Sequence, residues 1–420
     1  MNENDIFITS IEVKKVRNIE NFIIPLSETE RKHLIITGKN GSGKTSLLLE
    51  INDCLELFIS GCEFFEGAIK NYKKLQDDVF LKKEANIHVE NFQRKTNFLG
   101  LDIKMSKLFN KALANMNEAT LETTKLDKIL LDKIKSLILI TFKSKREMLS
   151  VIPSGVEKVE LRKTYPPSER ENTKFVQYIV NLKFDSLLAK VDNDIESSVK
   201  IDNWFENFEK QLKKLFEADN LQLIFDRKNY NFYIQIGNNE PFTLNQLSDG
   251  YSAVLSIITE LILRMEATGN KAYDLQGVVL IDEIETHLHV ALQKKIMPFL
   301  CAFFPKIQFI VTTHSPFVIS SLENAVVCDL ERKEVISEDL TGYSYNALVE
   351  SYFDTDEYSQ AIKEKLYRYK FLSEQETLSD DEEDEYDNLE DYFDNLPKFR
   401  AAALAAEAER IGLKKMMRKG

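Results

Sequence analysis

The run HLIITGKNGSGKT, His33 to Thr45, decides how this chain folds. His33 to Thr37 read as a short buried strand, a glycine-bearing loop follows at once, and SLLLEINDCLEL, Ser46 to Leu57, has the leucine-rich pattern of a helix. With Gly38-Lys39-Asn40-Gly41-Ser42-Gly43-Lys44-Thr45 filling GxxxxGK[ST], strand, loop and helix together meet the contextual conditions of a phosphate-binding loop. Its glycines let successive backbone N–H groups turn inward around an anion, and the helix beginning near Lys44 aims its positive dipole end at the same point. The expectation is that Gly38, Lys39, Asn40, Gly41, Ser42, Gly43 and Ser46 cradle the phosphates of ATP. Lys44 is expected to bridge the β and γ groups and Thr45 to ligate Mg²⁺.

Three further motifs extend that reading. In Val278-Val279-Leu280-Ile281-Asp282-Glu283, a buried strand ends in two carboxylates, placing Asp282 in the magnesium shell and Glu283 where it orients and polarises an attacking water. Upstream, Asn245-Gln246-Leu247-Ser248-Asp249-Gly250 taken alone is a helix start. Downstream, Val311-Thr312-Thr313-His314-Ser315-Pro316 sets one of five histidines at the end of another buried strand.

Order and spacing of the four motifs resemble the ABC ATPase superfamily. That resemblance implies that Ser248 and Gly250 belong to a signature turn whose amides clamp the γ-phosphate held by an opposite subunit, and hence an ATP-sandwich dimer. It also makes His314 the switch histidine, which stabilises charge in the transition state. Asp249 stands where the family has glycine and Tyr251 where it has glutamine or glutamate, departures compatible with a non-turnover nucleotide switch. Arg17, in VKKVRNIENF, is similar in placement to the basic residue of RecF and SMC heads that reaches the nucleotide phosphates. No Q-loop glutamine is evident after LILITF; Arg146 takes that role or belongs to a surface basic cluster. His287 and His289 have no further ligands near them in sequence and are not read as a metal site.

The expected fold class is α/β: an ABC-type ATPase head, a mixed sheet flanked by helices, with an inserted helical subdomain and a C-terminal helical and acidic extension. Residues 1–54 form the N-terminal lobe of the head with the P-loop. Residues 55–135, lysine-rich and nearly free of proline and glycine, read as a helical insertion. Residues 136–221 supply connecting strands and helices, including a proline-bearing connector from Pro153 to Pro167 and an amphipathic helix from Trp204 to Phe216. Residues 222–335 form the C-terminal lobe, opening on a hairpin around Asn229 and including a helix from His289 to Phe304. In 336–420, the stretch from Glu374 to Asp394 is almost wholly acidic and reads as a solvated linker or partner-binding segment, and PKFRAAALAAEAERIGLKKMMRKG, Pro397 to Gly420, as a partner-docking helix.

Composition sets limits. A net charge of −13 argues against DNA binding by bulk electrostatics, though not against a local basic face. The longest apolar runs fall far short of the roughly 20 residues that cross a bilayer. Acidic and polar residues at Met1 to Ile6 lead us to expect no export and a cytoplasmic location. Four cysteines without a CxxC pair suggest reduced thiols.

The phrases IDEIETHLH and FIVTTHSPFVISSL, with VKKVRNIENF, resemble the ATPases allied to RecF, SMC and the overcoming-lysogenization-defect proteins, and within them the Septu (PtuA-like) and retron-associated ATPases of anti-phage systems. The residues after Asp329 lack the hydrophobic strands an appended TOPRIM nuclease requires. The expectation is therefore an ATPase that pairs head to head as a homodimer or higher even-numbered oligomer and controls a separately encoded effector, a nuclease, through its C-terminal region. The alternative is a RecF-like repair ATPase that binds DNA directly.

Overall fold

Alternating burial makes an antiparallel hairpin of β1 (Ile8–Val16) and β2 (Ile19–Pro25), with Ile11, Val13 and Ile24 turned inward. The computed structural model describes residues 5–57, 101–105, 137–162, 169–268, 275–343, 360–375, 378–395 and 402–419. They fall into two units, Met1–Tyr345 and Asn346–Gly420.

In the first unit, β3 (His33–Thr37) is buried at all five positions, as befits a strand covered on both faces. β4 (Leu101–Met105) pairs with β1 and completes a three-stranded sheet, so this part of the expected helical insertion is a strand; its alternating burial is the period of a sheet with one covered face. Apart from the helix end at 55–57, the remainder of 55–135 lies outside the described residues. β5 (Ile138–Phe142), β9 (Gly277–Ile281), β10 (Ile307–Thr312), β11 (Ala325–Asp329) and β12 (Glu334–Ile336) join β3 in a six-stranded sheet of order β12-β11-β3-β10-β9-β5. Every pair is parallel except β11 with β12. The mixed sheet expected from the sequence is therefore present, and the parallel run brings the C-terminal ends of β3, β5, β9 and β10 to one edge, where such sheets place their ligands.

A helix over 44–57, α1, leaves the loop after β3. Its Leu47, Leu48 and Ile51 pack with Ile11 and Ile24 of the hairpin sheet and with Leu34 and Ile36 of β3, so one core joins both sheets and seats the P-loop. The sequence reading had no helix for α2 (Phe175–Val191), which pairs with α3 (Ile195–Phe216), a helix that begins nine residues before the expected Trp204. α3 is N-capped by Asp194, whose side chain accepts from Ser197 N. β6 (Leu221–Asp226), β7 (Asn231–Ile236) and β8 (Phe242–Thr243) form a third sheet against these helices, with Phe205 stacked on Phe232 and Trp204 on Phe208.

α4 (Asp249–Ala267) is buried almost throughout from Ala253 to Met265. Inside it Glu260 and Arg264 pair at 2.8 Å, and Glu260 also accepts from the amides of Glu171 and Asn172, so the buried charges are fully partnered. The helix expected from His289 to Phe304 is two shorter ones, α5 (Val290–Gln293) and α6 (Ile296–Phe303); the break falls at Lys294-Lys295. α7 (Pro316–Ile319) follows, with Ser315 as N-cap and proline at its first position.

The second unit also differs from expectation. The acidic stretch is a helix: α8 (Gln360–Glu374), α9 (Asp380–Asp394) and α10 (Ala402–Lys419) share an apolar core of Tyr369, Leu372, Tyr386, Phe393, Leu404, Ala408 and Ile411. α9 starts with a capping box between Ser379 and Glu382, and four acids in its first turn complement the helix dipole.

Candidate nucleotide-binding site

The P-loop turns through Gly38, Gly41 and Gly43, each at positive φ (132°, 83° and 104°). At Gly43 the requirement is also spatial, because a Cβ there would stand 3.0 Å from Ile19 Cδ1 and 3.3 Å from Asn18 Oδ1. The tip of the β1-β2 hairpin is thus seated against the loop, and Arg17, exposed and at φ 52°, is at that tip. Lys44 is buried, donating to the carbonyls of Gly38 (2.8 Å) and Lys39 (3.0 Å). Burial lowers its pKa, an effect opposed by Glu283, Glu285, Asp282 and Asp329.

Opposite the loop, the end of β9 delivers the acid pair. Thr45 Oγ1 donates to Asp282, 3.1 Å from each carboxylate oxygen, which brings together the two residues expected to hold a magnesium ion. Thr312, at the end of β10, donates through Oγ1 to Asp282 Oδ1 (2.6 Å) and accepts from the amide of Glu283 (2.7 Å). Glu283 has a left-handed backbone, φ 46°, and a half-buried carboxylate that accepts from Thr286 Oγ1 at 3.3 Å. His314 donates its amide to Glu285 Oε1 (2.5 Å). Burial, reinforced by Lys44, holds the His314 imidazole below its ordinary pKa against the pull of Glu285, Glu283 and Asp282.

Two buried oxygens, Ser42 Oγ and Glu285 Oε2, have no hydrogen-bond partner. In a site that holds a glycine loop, a buried lysine and a threonine-aspartate pair, that donor and acceptor set fits a nucleotide with Mg²⁺. Lys39 and Asn40 are exposed on the loop, where Lys39 pairs with Glu331 at 2.6 Å, and Ser46 is half-buried in the first turn of α1.

The turn expected to carry the signature lies at the start of α4. Ser248 and Asp249 are exposed at the N-terminus of α4, and Gly250 is packed so closely on the 287–288 turn that a Cβ would meet His287 O at 3.0 Å. Tyr251 stacks on Phe216 with ring centroids 4.3 Å apart, tying α3 to the start of α4. Arg146 is not part of a surface cluster: it is buried and its guanidinium faces the main chain of the acid loop. Sequence reasoning had not singled out Thr312 or Glu285; their signals were the threonine before THS and the third acid of DEIE, two residues beyond the pair.

The central parallel sheet, the glycine loop after β3 and the acid pair at the end of β9 share the arrangement of a P-loop nucleotide-binding domain. Residues 145–320 match the family described as "AAA domain, putative AbiEii toxin, Type IV TA system". The chain is similar to the Septu protein PtuA of Bacillus mycoides (strain KBAB4), 27% identical over 398 residues, 91% of this chain and 50% of that one. It is also similar to "Retron Vc95 probable ATPase" of Vibrio cholerae serotype O1 biovar El Tor, 24% identical over 362 residues, 71% of this chain and 69% of that one. The chain spans about half the length of the PtuA protein it matches. Among solved structures, an SMC head bound to the C-winged helix domain of ScpA aligns over 80% of this chain and 99% of that one, at 14% identity and a TM-score of 0.40.

Proposed function

We propose that this chain binds ATP with Mg²⁺ at the P-loop, hydrolyses it when two copies close head to head, and through that cycle controls a separately encoded nuclease in anti-phage defence. One observation carries the pairing: the P-loop and the acid loop meet within the chain, whereas the signature turn presents Ser248 outward from a position fixed against residues 287–288. A turn of that kind completes a site only on another copy. Likeness to a Septu protein and a retron ATPase supports the anti-phage setting. For the C-terminal unit we infer the role of effector docking, and for residues 1–54 and 222–335 that of the two lobes of the head.

In this reading Lys44 and the loop amides hold the β- and γ-phosphates, and the Arg17 tip approaches them from the hairpin. Magnesium, held by Thr45 and Asp282, would neutralise phosphate charge. Glu283 orients the attacking water and takes its proton as the bond from the γ-phosphorus to the bridging oxygen breaks, leaving ADP and phosphate. His314 hydrogen-bonds the transferred group as charge develops on it.

Glu283→Gln tests the scheme. The amide cannot accept the proton, so phosphate release should fall by roughly 100-fold or more while ATP binding is retained. Light scattering should then show ATP-dependent doubling of mass in the variant. Undiminished hydrolysis would remove Glu283 from its assigned role, and an unchanged mass would remove the head-to-head arrangement.

A further inference from the structure

We propose that Arg146 is a positioning residue for hydrolysis: its guanidinium fixes the main chain that carries Asp282 and Glu283, from a strap that is itself fastened to the start of the signature helix. The inference rests on the role given to Glu283 above. Arg146 is 5% exposed. Its Nη1 donates to the carbonyls of Lys143 (2.8 Å) and Asp282 (2.7 Å), and its Nη2 to those of Glu283 (3.0 Å) and Ile284 (3.2 Å). Three consecutive carbonyls of the acid loop therefore converge on one planar fork. A lysine ammonium, a point donor on a flexible stem, cannot reproduce that span.

The loop needs such a hold. Glu283 at φ 46° occupies backbone space that a residue with a side chain keeps only where its surroundings impose it. From the other side, Thr312 receives the amide of Glu283 on its hydroxyl (2.7 Å) and that of Ile284 on its carbonyl (3.1 Å). Amides are thus held by β10 and carbonyls by Arg146, which leaves the Glu283 carboxylate little freedom except rotation of its own side chain.

Beyond Arg146 the strap is secured twice. The amide of Met148 donates to Ser252 Oγ (2.7 Å), and Ser150 exchanges two hydrogen bonds with the Asn245 side chain, N to Oδ1 at 2.9 Å and Nδ2 to O at 2.8 Å. Residues 146–150 therefore run from the acid loop of one nucleotide site to the turn that the proposed pairing offers to the other.

The test compares Arg146→Met, Arg146→Lys and Asn245→Ala, with Arg146→Met also made in Glu283→Gln, by equilibrium binding of a fluorescent ATP analogue and by steady-state phosphate release. Both Arg146 variants should bind the analogue within about threefold of wild type while kcat falls about 30-fold or more, the lysine giving no rescue. Arg146→Met should slow the residual reaction of Glu283→Gln by less than about threefold, because it positions a group already removed. Asn245→Ala alters an exposed side chain and should lower kcat by about threefold or more with binding retained, which keeps the test decisive if Arg146→Met does not fold. Rescue by lysine, parallel loss of binding and kcat, or full additivity with Glu283→Gln would each overturn the proposal. Undiminished hydrolysis in Glu283→Gln alone would instead overturn the reading on which it rests.

Discussion

Thr312 and His33 show how much of a site is settled by groups that never meet the ligand. The Thr312 hydroxyl serves two acid-loop residues at once, as donor to Asp282 and acceptor for the Glu283 amide. His33 does comparable work at the start of β3. Its Nδ1 accepts from the Phe309 amide at 3.0 Å, so the proton of the neutral ring is on Nε2, facing Cys301 Sγ at 3.4 Å. Burial, with Arg31 adding to it, pushes its pKa from 6.5 down to about 4. The unfolded chain therefore takes a proton on His33 below about pH 6.5 that the folded chain refuses until about pH 4. Its contribution is complete above the upper value and is lost as pH falls through this window, by roughly 3 kcal/mol in all. Denaturant unfolding at pH 7 and pH 5 should show about 2 kcal/mol of that loss, and His33→Gln should flatten it; an unchanged stability would mean that the ring is not held neutral. Residues of this kind were the least legible in the sequence. Walker residues announce themselves by spacing, while Thr312, Glu285 and the true surroundings of Arg146 depend on strands far apart in the chain.

Elements were legible where local pattern and burial agree. β3, β9 and β10 are continuous apolar runs ending in polar motifs, and the structure sets them side by side in the sheet in the order β3-β10-β9. α2 was missed because its apolar residues are spread around the helix instead of forming one stripe. The acidic α9 was read as a linker because 10 of its 15 residues are acidic, whereas Tyr386 and Phe393, seven apart on one face, are buried. At the sheet, Gly277 opens β9 between β5 and β10, where an added Cβ would lie 2.2 Å from Ile138 O. Gly277→Ala should accordingly force the strands apart at a cost of about 1–3 kcal/mol or more, visible as a lower midpoint of thermal unfolding. A midpoint unchanged within error would show that β5 yields freely at this point.

Across the whole molecule, the two units have separate cores, and the core of the C-terminal one, built among the described residues from α8, α9 and α10, is small enough to depend on each large side chain. Phe393→Ala should remove about 3–5 kcal/mol from its core. Limited proteolysis should then cut within 360–419 while binding of ATP by the head is kept, and simultaneous loss of both would contradict independent cores. The head, in turn, is organised along β10. At one end Gln308 accepts from the amide of Ile8 (2.7 Å) and donates to the carbonyls of Ile8 (3.0 Å) and Lys32 (2.7 Å); at the other, Thr312 holds the acid loop. Four residues apart on a fully buried strand, the two side chains leave the same face. β10 therefore serves as a common anchor: the strand that fixes where the outer hairpin begins at Ile8 also holds the carboxylates at its far end, so the placement of both is referred to one buried strand.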